Sequence, residues 1–154
     1  MTATVLLADD DADCLKILAM RCRSLGLRVL TAADGEDLLA SAERESPDLV
    51  ILDIGMPGDD GLQVAERLRR RKDKRPLPVI VCSGQSDRST LDHCNQLGAR
   101  HVSKGSQTWP ELRSLICHML HLNEPSARPA FARNGTLKLQ FNRDGNAPDR
   151  PSVR

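Results

Sequence analysis

Five polar residues of this 154-residue chain stand directly after short apolar runs. Asp9 and Asp10 follow Val5-Leu6-Leu7-Ala8, Asp53 follows Leu49-Val50-Ile51-Leu52, Ser83 follows Leu77–Cys82, and Lys104 follows His101-Val102-Ser103. If those runs are strands of one sheet, three carboxylates, a hydroxyl and an ammonium meet in one small pocket. Carboxylates so placed repel one another unless a cation joins them. Oxygen ligands favour a hard divalent ion, and Mg²⁺ accepts a couple of carboxylates, a backbone carbonyl and waters. With metal and lysine neutralising phosphoryl oxygens, a free carboxylate can attack phosphorus and become an acyl phosphate. Taken singly, Asp9, Asp10, Ser83 and Lys104 are each more often a loop polar or a helix cap. Their shared position is what carries the chemistry.

The elements that must position them alternate between strand and helix patterns. From Asp13, residues Leu15, Leu18, Cys22 and Leu25 recur at helical spacing, and Gly26 closes the segment. Leu27–Thr31 reads as a second strand. Asp34-Gly35 opens a helix with Leu38, Leu39 and Ala42 that Pro47 is expected to end. Asp60-Gly61 opens another, with Leu62, Val64, Ala65 and Leu68. A fourth runs through Leu91, Cys94 and Leu97 to Gly98, and a last one spans Trp109–Leu122. Apolar strands without polar alternation argue a parallel sheet covered on both faces. Right-handed crossovers make a doubly wound open α/β sheet the favoured topology, with its site at the carboxyl ends of the strands.

Composition narrows the function classes. The aromatic residues are Trp109, Phe131 and Phe141, so the core must be aliphatic and base-stacking modules are disfavoured. A net charge of +1 gives no global field toward nucleic acid. The basic run Arg69–Arg75 is interrupted by Asp73 and reads as a solvated helix end. No apolar run approaches the roughly 20 residues that span a bilayer, and no secretory signal opens the chain, so a cytoplasmic home is expected. The cysteines, five in number, show no metal spacing and read as small hydrophobes. Cys117, His118 and His121 fall on one side of the last helix, and a solvated helix end explains them better than a metal site.

Four stretches, in order, resemble the receiver domain of two-component response regulators. They are Val5–Asp11, Pro47–Gly61, Pro78–Gly84 and Leu97–Lys104. The resemblance runs from about Thr4 to Leu122 and implies a flavodoxin-like five-stranded parallel sheet in strand order 2-1-3-4-5. It implies that Asp53 takes a phosphoryl group from a histidine kinase or histidine phosphotransfer protein. Asp10 and Asp53 would coordinate Mg²⁺ through their carboxylates, Asp9 mainly through water, and Gly55 through its backbone carbonyl. Ser83 would be the switch hydroxyl and Lys104 would pair with the phosphoryl group. Asp11 is left as a helix cap or solvated charge. An aspartate-nucleophile phosphatase wants a second acid two residues beyond the nucleophile, and Gly55 stands there instead.

Three positions depart from the family pattern. His101 stands where relatives keep an aromatic switch residue, Gly105 where they keep a proline, and Gly55 offers no side chain beside the metal. Residues 1–122 are read as the receiver domain, with 16 basic and 18 acidic residues. Residues 123–154, with 6 basic and 3 acidic, are read as a mostly flexible tail. Within it, Thr136–Phe141 patterns like a short strand or docking peptide. The tail is too short for a DNA-binding or catalytic output domain. The expected role is a stand-alone receiver, not an enzyme on a separate substrate, that relays phosphoryl groups or binds a downstream protein when phosphorylated. Homodimerisation would use the fourth helix, fifth strand and fifth helix. The competing readings are a phosphorylation-independent interaction module and a receiver fragment of a longer regulator.

Overall fold

The computed structural model describes residues 1–58, 60–71, 75–84 and 87–123. The stretch 136–141 lies outside them. Five strands form, β1 (Thr4–Ala8), β2 (Arg28–Ala32), β3 (Leu49–Asp53), β4 (Val79–Ser83) and β5 (Arg100–Ser103). Every pairing is parallel, and the order is β2-β1-β3-β4-β5. The interleaved helices are α1 (Ala12–Ser24), α2 (Gly35–Glu45), α3 (Gly61–Arg69), α4 (Arg88–Leu97) and α5 (Thr108–Met119). The chain winds outward from β1 to β2 and then crosses to β3 on the other side. That reversal opens a crevice at the carboxyl ends of β1 and β3.

Strands β1, β3 and β4 are buried along their whole length, and β2 and β5 form the half-exposed edges. The alternation missing from the sequence of β3 reappears as a division between two cores. Val50 and Leu52 belong with Leu38 and Ala42 of α2, Val64, Ala65 and Leu68 of α3, and Cys94 of α4. Leu49 and Ile51 belong with Ala19 and Cys22 of α1 and with Leu112 and Ile116 of α5. Both faces are apolar because both are roofed by helices.

Asp11, Asp34, Asp60 and Asp87 cap the starts of α1, α2, α3 and α4 with their carboxylates. At α4 the Thr90 N–H donates to Asp87 Oδ1 at 3.0 Å. The side chain and backbone of Thr90 hold the Asp87 carboxyl below its ordinary value of 3.8. A carboxylate depressed in the folded state stabilises above its unfolded value, and that contribution is lost as pH falls through the lower folded value. Asp87→Ala is therefore expected to lower the melting temperature at neutral pH. Thermal scans should show the gap to wild type closing as pH falls below the ordinary carboxylate value of 3.8.

Pro47 ends α2 as expected: the helix stops at Glu45, and Ser46, the residue before the proline, caps it in left-handed conformation at φ 46°. The last helix differs from the sequence expectation. α5 stops at Met119, three residues short of Leu122. The Leu122 N–H returns to Cys117 O at 2.9 Å, and the His121 N–H points back to His118 O at 3.4 Å. This is a Schellman closure with His121 at φ 51° in the position glycine usually takes. Leu122 keeps helical spacing because it folds back over the last turn, so periodicity alone overran the end.

Candidate functional site

Asp53 is the last residue of β3, Ser83 the last of β4, and Asp9 and Lys104 follow β1 and β5 directly. The sheet thus delivers them to the crevice side by side. The Lys104 ammonium donates to Asp53 Oδ2 at 2.9 Å and to Asp9 Oδ2 at 3.2 Å. The Gly55 N–H donates to Asp53 Oδ1 at 2.9 Å, and the Asp11 N–H to Asp9 Oδ1 at 2.9 Å. The structure thus records Gly55 through its amide, on the phosphoacceptor candidate itself. A Cβ at Gly55 would stand 3.4 Å from Asp53 Oδ1, an ordinary contact. Asp9, Asp53 and Ser83 are buried, while Asp10 is exposed at the mouth.

Ligand atoms of Asp9, Asp10 and Asp53 lie within 4.8 Å of one another. Three carboxylates against one ammonium leave the crevice short of positive charge. Burial raises the Asp9 carboxyl above its ordinary range, against the Asp11 N–H and Lys104, which lower it. Burial also pulls the Lys104 ammonium down, but the hydrogen bonds and charges of Asp53 and Asp9 outweigh it and hold the group above its ordinary range. An all-oxygen donor set with one exposed and two buried members fits a hard divalent cation. Among the described residues, no other group of acidic, His or Cys side chains is placed to share a metal ion.

A cavity of about 450 Å³ adjoins the acidic cluster, lined by Asp53, Lys104, Cys82, Thr108 and Trp109 together with Leu15 and Leu18 of α1. Arg21 of α1 lies over the Trp109 ring at 5.3 Å from its centroid, joining α1 to α5. No pattern along the chain announces that pair, or Thr108, whose hydroxyl sits among Ser103 O, Gly105 N and Gly105 O. Only a threonine four residues after the lysine was there to find. His101 lies in β5 opposite Val81, half-buried, with Nε2 buried and without a hydrogen-bond partner. A second cavity, of about 980 Å³, opens at the opposite end of the strands among Arg69, Arg71, Arg75, Leu77 and Met119, and none of the expected site residues lines it.

Cys82 sits beside the cluster, yet burial pushes its thiol up to about 12. Burial pushes Cys22 equally far, and Cys94 and Cys117 are buried as well. Cys14 is exposed. A thiol reagent at neutral pH is expected to label Cys14 alone in the native protein and all five cysteines after denaturation, read by mass spectrometry. Rapid native labelling of Cys82 would contradict the packing around the site. No helix among the described residues is long and apolar enough to cross a membrane.

Known proteins place the same elements in the same order. A "Probable transcriptional regulator ycf27" of Porphyridium aerugineum is 40% identical over 138 residues, covering 89% of this chain and 56% of that protein. The "Alkaline phosphatase synthesis transcriptional regulatory protein PhoP" of Bacillus subtilis is 34% identical over 141 residues, covering 92% of this chain and 58% of its own length. The chain thus spans little more than half the length of these relatives. Among solved structures, the response regulator TrrA of Thermotoga maritima, in complex with Mg(2+)-BeF, superimposes with a TM-score of 0.68 at 29% identity. The match covers 77% of this chain and 99% of that one. A putative response regulator from Chloroflexus aurantiacus gives 0.71 at 29% identity, covering 79% and 99%. The family model for the response regulator receiver domain matches residues 5–114. With the parallel sheet and the shared crevice already described, the chain belongs to the response regulator receiver domain family.

Proposed function

We propose that this receiver accepts a phosphoryl group on Asp53 from the phosphohistidine of a histidine kinase or histidine phosphotransfer protein, in a Mg²⁺-dependent reaction. The observation that carries the reading is the Lys104 ammonium bridging Asp53 and Asp9 beside a third carboxylate. A carboxylate oxygen of Asp53 attacks phosphorus while the bond from phosphorus to the donor imidazole breaks, its electron pair staying on the nitrogen. The product is an acyl phosphate. Asp9, Asp10, Asp53 and the Gly55 carbonyl would hold the ion, which when bound neutralises charge on the phosphoryl oxygens. Lys104 supplies a second positive charge from the β5 side, and the Ser83 hydroxyl, at the end of β4, would donate to a phosphoryl oxygen. The chemistry is self-phosphorylation and self-dephosphorylation, without turnover of a separate substrate.

The readout we assign to the face made by His101, α4, β5 and α5, through a downstream protein, a phosphorelay or a second copy of the chain. The TrrA complex with Mg(2+)-BeF and the regulatory names of the relatives support the same chemistry. The test is to incubate the full chain with acetyl phosphate, with and without Mg²⁺, and measure its mass. A gain of one phosphoryl group that requires Mg²⁺ supports the proposal. Mg²⁺ binding by calorimetry without any gain would turn the reading to a phosphorylation-independent interaction module.

A further inference from the structure

Lys104 must present its ammonium to two carboxylates at the ends of different strands, and it stands where β5 gives way to the loop before α5. The next residue, Gly105, has no described residue beyond its own chain neighbours within 4 Å of where a Cβ would sit, and glycine leaves the backbone free to turn. Gln107, ahead of α5, gives that helix no side-chain cap. The hydroxyl of Thr108, the first residue of α5, turns back to the loop instead. It accepts from the Gly105 N–H at 2.6 Å and lies 3.0 Å from Ser103 O and 2.8 Å from Gly105 O. A hydroxyl carries one proton, so its donation is shared or alternates between the two carbonyls. Ser103 O and the Gly105 N–H belong to the two peptide units flanking Lys104. The Lys104 N–H itself donates to Ser83 O at 2.8 Å.

We propose that Thr108 is a positioning residue for phosphoryl transfer, clamping both peptides around Lys104 so that its ammonium reaches Asp53 and Asp9 together. The inference rests on the phosphoacceptor reading above. Its physical basis is that small displacements of a charge aimed at a transferring group are expensive, a 1 Å error being worth up to about a hundredfold. A hydroxyl at position 108 is the requirement, and its methyl group is incidental.

The experiment compares phosphorylation rates with acetyl phosphate at saturating Mg²⁺ for the full chain and its variants. Thr108→Val keeps the shape and removes the hydroxyl, and is expected to slow the reaction about tenfold. Thr108→Ala does the same should the valine variant not fold. Thr108→Ser, which keeps the hydroxyl, is expected to stay within about twofold of wild type. In a Lys104→Ala background, Thr108→Val should have no further effect, because it acts through the lysine. Wild-type rates in both Thr108→Val and Thr108→Ala overturn the inference while leaving the phosphoacceptor reading intact. So does an undiminished tenfold loss in the Lys104→Ala background, which would mark a general structural role. Absence of any phosphoryl gain in the wild type overturns both.

Discussion

Asp53→Asn is expected to abolish the gain of a phosphoryl group while leaving the fold in place. Asparagine has the same shape, but its amide oxygen is not a nucleophile able to form an acyl phosphate, so mass spectrometry should show no adduct. The stability change is small because two effects oppose. The amide oxygen can still accept from the Gly55 N–H, but its NH₂ group turns a donor toward the Lys104 ammonium, which loses the 2.9 Å partner it had. Against that, one of three mutually repelling carboxylates is gone. The net should fall within about 1 kcal/mol, or roughly 5 °C in melting temperature. Mg²⁺ affinity should weaken because one ligand has lost its charge. A variant that still gains mass would show that the phosphoryl group goes elsewhere.

Gly61→Ala carries the largest expected cost in stability. A Cβ at Gly61 would stand 2.5 Å from Ile54 Cα and 2.8 Å from both Ile54 Cβ and Cγ2. Backbone cannot swing aside as a flexible side chain can, so α3 and the loop after β3 must separate. Overpacking of this kind costs about 2–3 kcal/mol, which for a domain of this size lowers melting by roughly 10 °C. The strain falls on Ile54, the residue next to Asp53, so phosphorylation should slow as well. Gly84→Ala is the matched control, since no described residue beyond its chain neighbours lies within 4 Å of a Cβ there, and its melting should stay close to wild type. Equal melting of both variants would show that α3 does not approach Ile54 as closely as described.

The difference between Gly61 and Asp60 shows what a sequence can and cannot reveal. Asp60 announces a helix start through local chemistry, a carboxylate that can cap a free N–H. The close approach of Gly61 to Ile54 is a contact across a loop, and no pattern along the chain encodes it. The same divide runs through the site. Asp9, Asp53, Ser83 and Lys104 were legible because each follows an apolar run and the topology rule collects strand ends. Thr108 was not, because its partners are backbone atoms whose position depends on how the loop closes. Strand positions erred by a residue or two, β2 beginning at Arg28 and β4 at Val79, where Pro78 still lacks a ladder donor. Ser46 and His121 in left-handed conformation were invisible to a reading that assigns such turns to glycine.

Trp109 is the one tryptophan, the chain has no tyrosine, and the ring lies beneath Arg21 on the α1 and α5 side of the sheet. Emission from this protein is therefore a local signal. Helices α2, α3 and α4 carry no Phe, Tyr or Trp, and their layer would be silent in fluorescence if it loosened. A melting curve from fluorescence reports the loss of one roof of the sheet, whereas a calorimeter reports both. Coincidence of the two curves would mean that the roofs come off as a single cooperative unit. A calorimetric transition at lower temperature would reveal a half-opened molecule that light alone cannot see.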